Sequence, residues 1–122
     1  AIAASDFKDY DLAVENYKKA IETNPQEVNA YILLGNLYSN LKKYKEAEEQ
    51  YREALKINKL DPSIFVLIAN TYYMNNEIER SIYSYRAAVN LRPENDEYKL
   101  VFIQVLEDFM NDARKDDLIA NF

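Results

Sequence analysis

The chain has 122 residues, 48% of them hydrophobic and 30% charged, which is the composition of one folded domain rather than a disordered tail. It contains no Cys, no His and a single Gly. These absences exclude a disulfide framework, thiol and zinc chemistry, the usual general base and a phosphate-cradling glycine loop. The net charge is −6, and residues 94–122 contribute 8 acidic against 3 basic side chains, so the acidity gathers at the C-terminal end and no basic stripe for nucleic acid is present.

The chain opens on Ala1 rather than Met, the pattern of a processed or cut chain. The first segment reads as a helix over 11–23, carrying Ala13, Tyr17 and Ala20 and followed by Pro25. Residues 1–6 are what would remain of a preceding helix. Next, Tyr31, Leu34, Gly35 and Tyr38 recur at i, i+3, i+4 and i+7, one face of a helix. Lys42-Lys43 marks a short turn. Ala47, Tyr51, Ala54 and Leu55 repeat the helical spacing in the following segment. Asp61-Pro62 is a start signal: a side-chain cap, then a residue whose φ is preset for the first turn. Phe65, Ile68, Ala69 and Tyr72 follow as the next face, Asn75-Asn76 as the next turn, and Ser81, Tyr85 and Ala88 as the next helix. Residues 95–113 read as a last helix. No run alternates with the period of a strand.

One period organises these segments. Tyr17, Tyr51 and Tyr85 stand 34 residues apart, as do Ala20, Ala54 and Ala88, and the small residues Ala13, Ala47 and Ser81. Tyr10 and Tyr44 align with Ile78, and Pro25 and Pro93 bracket Lys59. Tyr31 aligns with Phe65, Leu34 with Ile68, Gly35 with Ala69, Asn36 with Asn70 and Tyr38 with Tyr72. Short connections between helices require antiparallel neighbours. Gly35 and Ala69 are expected where the first helix of a pair crosses the second, with Ala47 and Ser81 opposite. Ala20, Ala54 and Ala88 are expected to face the next pair. Tyr10, Tyr17, Tyr31, Tyr38, Tyr44, Tyr51, Tyr72 and Tyr85 are read as inter-helix fillers, whereas Tyr73, Tyr83 and Tyr98 fall off register.

On these residues the chain resembles the tetratricopeptide repeat (TPR) family over about residues 1–95. Lys59 in place of proline and Ser81 in place of alanine are mild departures. The resemblance implies an all-α fold of antiparallel helix-pair repeats stacked as a right-handed superhelix. The divisions would be a partial repeat at 1–27, repeats at 28–61 and 62–95, and a C-terminal capping helix and tail at 96–122. The cap is unusual, because Leu100, Val101, Phe102, Ile103, Val105, Leu106, Phe109 and Met110 span more than one face. Terminal repeats ordinarily present a polar outer side.

Catalysis finds little support. Glu46, Glu48 and Glu49 lie among Lys42, Lys43 and Lys45 and read as a solvated helix face. Ser81 has no histidine to activate it. Asp108, Asp112, Asp116 and Asp117 lack the loop spacing and turn glycine of a calcium site. No metal or cofactor is expected. The longest apolar run, Ile64 to Ala69, is far short of the roughly 20 residues of a membrane span, and no signal peptide is visible. Lack of cysteine fits any compartment.

The informative face is the other side of each first helix. Asn29, Ile32, Asn36 and Ser39, with Asn40 beside them, form one stripe. Ser63, Val66, Asn70 and Tyr73, with Met74 beside them, form its equivalent. Gln104 belongs to the corresponding stripe of the cap helix, which also holds Glu97, Leu100, Glu107 and Asp108. Stacked pairs would put these stripes on a concave side. Asn36 and Asn70 read as main-chain clamps, since an amide both donates and accepts. Ile32, Val66, Tyr73 and Met74 would add apolar contacts. The family's grip on chaperone C-terminal carboxylates uses lysine, asparagine and arginine on this face. Here only the asparagines match, and Ile32, Ser63, Val66 and Leu67 replace the basic partners, so that activity is not expected.

The expected function is a non-enzymatic adaptor or scaffold that binds a protein or peptide partner, apolar and in part basic. One alternative is structural self-association, as a homo-oligomer, through the apolar last helix or the N-terminal edge. A second is a non-catalytic appendage of a larger enzyme or envelope assembly protein.

Overall fold

The computed structural model describes residues 4–120, with side-chain surroundings for residues 9–112. Expectations resting on residues 1–3 and on the side chains of Asp116 and Asp117 lie outside this range. The described residues form six helices and no strand. They fall into two compact units, residues 1–59 and 60–122.

The first unit contains α1 (Ala4–Thr23), α2 (Val28–Asn40) and α3 (Tyr44–Ile57), with α2 packed on both α1 and α3. The stripe read from the sequence is the buried face of α2: Tyr31, Leu34, Gly35 and Tyr38 are all buried, joined by Ala30 and Leu37. From α3 come Ala47, Tyr51 and Ala54, three of the four expected residues, with Leu55 half-buried. The Tyr31 hydroxyl reaches the edge and donates to the Pro25 carbonyl at 3.0 Å. The turn after α2 closes with the Lys43 N–H donating to the Tyr38 carbonyl at 2.8 Å and the Lys42 N–H to Ser39 at 3.0 Å. This geometry places Lys42 in the left-handed region, φ 62°.

Two expectations change in this unit. The helix read as 11–23 is longer: α1 runs unbroken from Ala4 to Thr23, with no turn setting residues 4–6 apart. The physical reason is local, because that span contains neither Gly nor Pro to stop a helix. Ala20 is exposed, unlike its counterparts Ala54 and Ala88, which are fully buried. The half-buried side of α1 is carried by Tyr10, Ala13, Val14, Tyr17 and Ile21 instead.

The second unit contains α4 (Pro62–Met74), α5 (Ile78–Leu91) and α6 (Asp96–Ala120), with α5 packed on both of the others. Asp61 caps α4 as expected: its carboxylate accepts from the Ser63 N–H at 2.9 Å, and Pro62 fills the first turn. The turn between α4 and α5 repeats the first one. The Glu77 N–H donates to Tyr72 at 2.8 Å, and Asn76 takes φ 62°. Ala69, Tyr85 and Val105 form a buried cluster from all three helices, with Val66, Ile78, Ile82 and Phe102 packed against it. Ser81 is fully buried and donates to the Ile78 carbonyl at 2.8 Å, which is how a hydroxyl substitutes for alanine at this crossing. The last helix, read as 95–113, extends to Ala120 and, like α1, contains neither Gly nor Pro. It buries Val105, whereas Leu100, Ile103 and Met110 remain exposed.

Candidate functional site: two asparagine faces and an acidic-ended pocket

Both stripes are built on a first helix and held by a tyrosine from the second. In the first unit the Tyr51 hydroxyl donates to Asn36 Oδ1 at 2.5 Å. In the second unit the Tyr85 hydroxyl donates to Asn70 Oδ1. The tyrosine follows its asparagine by 15 residues in each case. Burial pushes the phenols of Tyr51 and Tyr85 up to about 12, and for Tyr85 the neighbouring Tyr73 adds to it. Both hydroxyls therefore keep their protons and act as donors at neutral pH.

This arrangement adds an internal hydrogen bond to each asparagine. Each amide was expected to both donate and accept toward a ligand. Its oxygen accepts from a tyrosine through one of two lone pairs, and its Nδ2 amine is a donor.

In the first unit, Asn29 and Asn40 are exposed, and Ile32, Asn36 and Ser39 are half-buried along one side of α2. In the second unit the predicted residues divide. The Ser63 hydroxyl donates to Asp61 at 2.6 Å, so it is engaged in the cap of α4. Val66 packs against the buried cluster and serves the core as much as the surface. Met74 is exposed. Asn70, Tyr73 and Gln104 come together in a pocket of about 450 Å³, with Tyr85, Leu100, Val101, Val105 and Asp108 as the other lining residues.

Asp108 is the acidic residue of that lining. Tyr73 donates to Asp108 Oδ2 at 3.1 Å and Gln104 Nε2 donates to Oδ1 at 3.2 Å. The hydrogen bond to Asp108, and then its charge, raise the Tyr73 phenol above its ordinary value, with Asp112 adding to the effect. Tyr85, Val101 and Val105 are lining residues that the stripe pattern did not include. Tyr85 repeats Tyr51, which sits beside Gly35 and bonds to Asn36, and that repeat was the signal available for it.

A second depression, of about 630 Å³, lies where the turn between α4 and α5 meets Phe109 and Asp112 of α6. Several of its polar groups already pair. Arg80 lies 3.4 Å from Glu77 and 5.9 Å from the Tyr72 ring centre, and Asn75 donates to Glu77 at 3.1 Å. Among the described residues no group of three or more acidic, His or Cys side chains could hold a metal ion. None of their helices is long and apolar enough to cross a membrane.

Helix pairs in register, small residues at each crossing and tyrosine fillers define an α-helical repeat protein of the protein-interaction class. A tetratricopeptide repeat family model matches residues 4–70, and the chain belongs to that family. No curated protein matches the sequence.

Solved structures share the fold at low identity. The first TPR of Spaghetti (RPAP3), solved with the HSP90 peptide SRMEEVD, has 19% identity and TM-score 0.73, with 86% of this chain and 83% of that one covered. TTC0263, a thermophilic TPR protein of Thermus thermophilus, has 20% identity and TM-score 0.77, covering 87% of this chain and 55% of that one. The TPR domain of Arabidopsis OM64 has 20% identity and TM-score 0.71, covering 86% and 87%.

Proposed function

We propose that this chain is an adaptor that binds an extended or helical segment of a partner protein on the stripe faces of α2 and α4. TPR arrays are typically non-catalytic scaffolds, and a non-enzymatic role follows here. We assign the repeat divisions 1–27, 28–61, 62–95 and 96–122 to it. The contact residues are Asn29, Ile32, Asn36, Ser39 and Asn40 on the first unit and Ser63, Val66, Asn70, Tyr73, Met74 and Gln104 on the second. The carrying observation is the pocket that gathers Asn70, Tyr73 and Gln104 around apolar walls.

The partner differs in chemistry from the HSP90 peptide seen on the Spaghetti domain. That peptide is acidic, and here Ile32, Ser63, Val66 and Leu67 stand where a carboxylate grip needs cations, with Asp108 nearby in the pocket. An apolar partner, basic in part, suits the face.

A phage-displayed random dodecapeptide library panned on the immobilised chain tests this reading. Recovered peptides should bind wild type and lose affinity on Asn70→Asp, which keeps an acceptor for Tyr85 and removes the Nδ2 donor. Failure to recover any peptide, or binders indifferent to Asn70→Asp, overturns it.

A second reading rests on a different surface. Ile103 and Met110 are 49% and 52% exposed on α6, and Tyr83 is 69% exposed on α5 beside Leu106. These side chains suit self-association into a homo-oligomer. Light scattering after size exclusion decides it: a strict monomer at high concentration rules it out.

A further inference from the structure

We propose that the pocket between α4, α5 and α6 is a slot for one lysine or arginine side chain of the bound segment. The inference rests on the groove reading above and names the residue type that this part of the groove takes.

The argument starts from the shape of the lining. Tyr73, Leu100, Val101, Tyr85 and Val105 supply largely apolar lining, and Asp108, held by Tyr73 and Gln104, lines the same pocket. Lysine and arginine have the matching anatomy, an aliphatic stem with a charged tip. The tip would meet the Asp108 carboxylate, and the stem would cover Leu100 and Val101, which are 67% and 37% exposed. The Tyr73 ring offers a π face to the same cation.

Asp108 is equipped to receive a cation. Its two described donors, Tyr73 and Gln104, are neutral, so they satisfy hydrogen bonds without cancelling charge. A carboxylate has about four acceptor sites, which leaves room for more donors. The ion pairs found among the described residues are Arg52–Glu48, Lys56–Glu53 and Arg80–Glu77, none of which involves Asp108. Asp112, one turn further along α6, adds negative field of the same sign. A purely apolar side chain would cover a half-buried carboxylate and leave it uncompensated, and an acidic one would be repelled.

The test extends the library experiment with two isosteric variants, Asp108→Asn and Glu49→Gln. The second makes the same charge change on an exposed position of α3. Thermal melts establish that both are folded. Wild type should enrich peptides that carry Lys or Arg beside an aliphatic residue. A recovered peptide synthesised with that basic residue should lose about two- to fivefold in affinity on Asp108→Asn, and be unchanged on Glu49→Gln. The loss should shrink as salt rises.

Enrichment of neutral or acidic peptides that still depend on Asn70 overturns the slot and leaves the groove reading standing. Basic peptides equally weakened by Glu49→Gln overturn it too, because they report overall charge alone. Recovery of no peptide overturns both readings. If Asp108→Asn does not fold, replacing the peptide's basic residue with norleucine on wild-type protein gives the same comparison, and undiminished affinity refutes the slot.

Discussion

Gly35 and the ring of Tyr51 are in such close apposition that a Cβ on Gly35 would lie 2.6 Å from Tyr51 Cε1 and 2.8 Å from Cδ1. The ring cannot retreat freely, because Tyr51 is 2% exposed and its hydroxyl is tied to Asn36. The single glycine of the chain thus marks the point where α2 and α3 cross. Gly35→Leu should overpack this crossing and destabilise the fold by about 1–3 kcal/mol or more. Gly35→Ala should cost less, since the gain in helix propensity, up to ~1 kcal/mol, offsets part of the ring displacement. Urea midpoints of the two variants check the order; an unchanged midpoint for the leucine variant contradicts the packing described.

The tyrosine–asparagine bonds should be separable from ring packing. Tyr51→Phe keeps the ring and removes the donor, leaving a half-buried amide oxygen without it. A loss of about 0.5–1.5 kcal/mol is expected, and a similar one for Tyr85→Phe. A double-mutant cycle of Tyr51→Phe with Asn36→Ala isolates the bond, and additive effects would mean that it contributes nothing.

Alkaline pH should expose the same two phenols. Both are raised from about 10 in the unfolded chain to about 12 in the folded one. Below pH 10 both states keep the proton and their contribution to stability is complete. Between pH 10 and 12 the unfolded chain gives up protons that the folded chain retains, so stability falls as pH rises. Denaturation midpoints followed from pH 9 to 12 should decline, and less steeply in Tyr51→Phe and Tyr85→Phe.

Lys42 adopts a backbone conformation that ordinarily favours glycine or asparagine. Lys42→Gly should therefore stabilise the protein by about 0.5–1 kcal/mol, as the Cβ penalty disappears. Asn76 holds the same φ at the equivalent turn but tolerates it better, so Asn76→Gly should gain less. Differential scanning calorimetry of the two variants should rank them in that order.

The 34-residue recurrence carried most of the architecture, because burial at a helix crossing restricts residue size. Only small residues fit where Gly35, Ala47, Ala69 and Ser81 lie, and that restriction is visible without coordinates. The extent of α1 was not legible in the same way. Repeat register implies a turn between residues 6 and 11, but nothing there breaks a helix, and local propensity prevails.

The left-handed φ at Lys42 was hidden for a related reason: Lys42-Lys43 marks a turn, but lysine does not signal a left-handed residue, and the conformation is imposed by closure of the helix end. Helical spacing grouped Asn70, Tyr73 and Gln104, which line one pocket of the second unit. It could not show that tyrosines engage both amide oxygens, since bonds across a crossing depend on the distance and angle between two helices. The contact between Tyr73 and Asp108 spans 35 residues and is likewise a product of packing.

Under the proposed docking, the engaged amide oxygens of Asn36 and Asn70 would make recognition and cohesion one property. When a ligand carbonyl accepts from Nδ2, the new bond shifts electron density through the amide toward Oδ1. The oxygen then becomes a stronger acceptor for the tyrosine that already holds it. Docking on the outside of a helix pair would thereby tighten the seam inside, and the pair would become harder to pull apart while its guest is aboard.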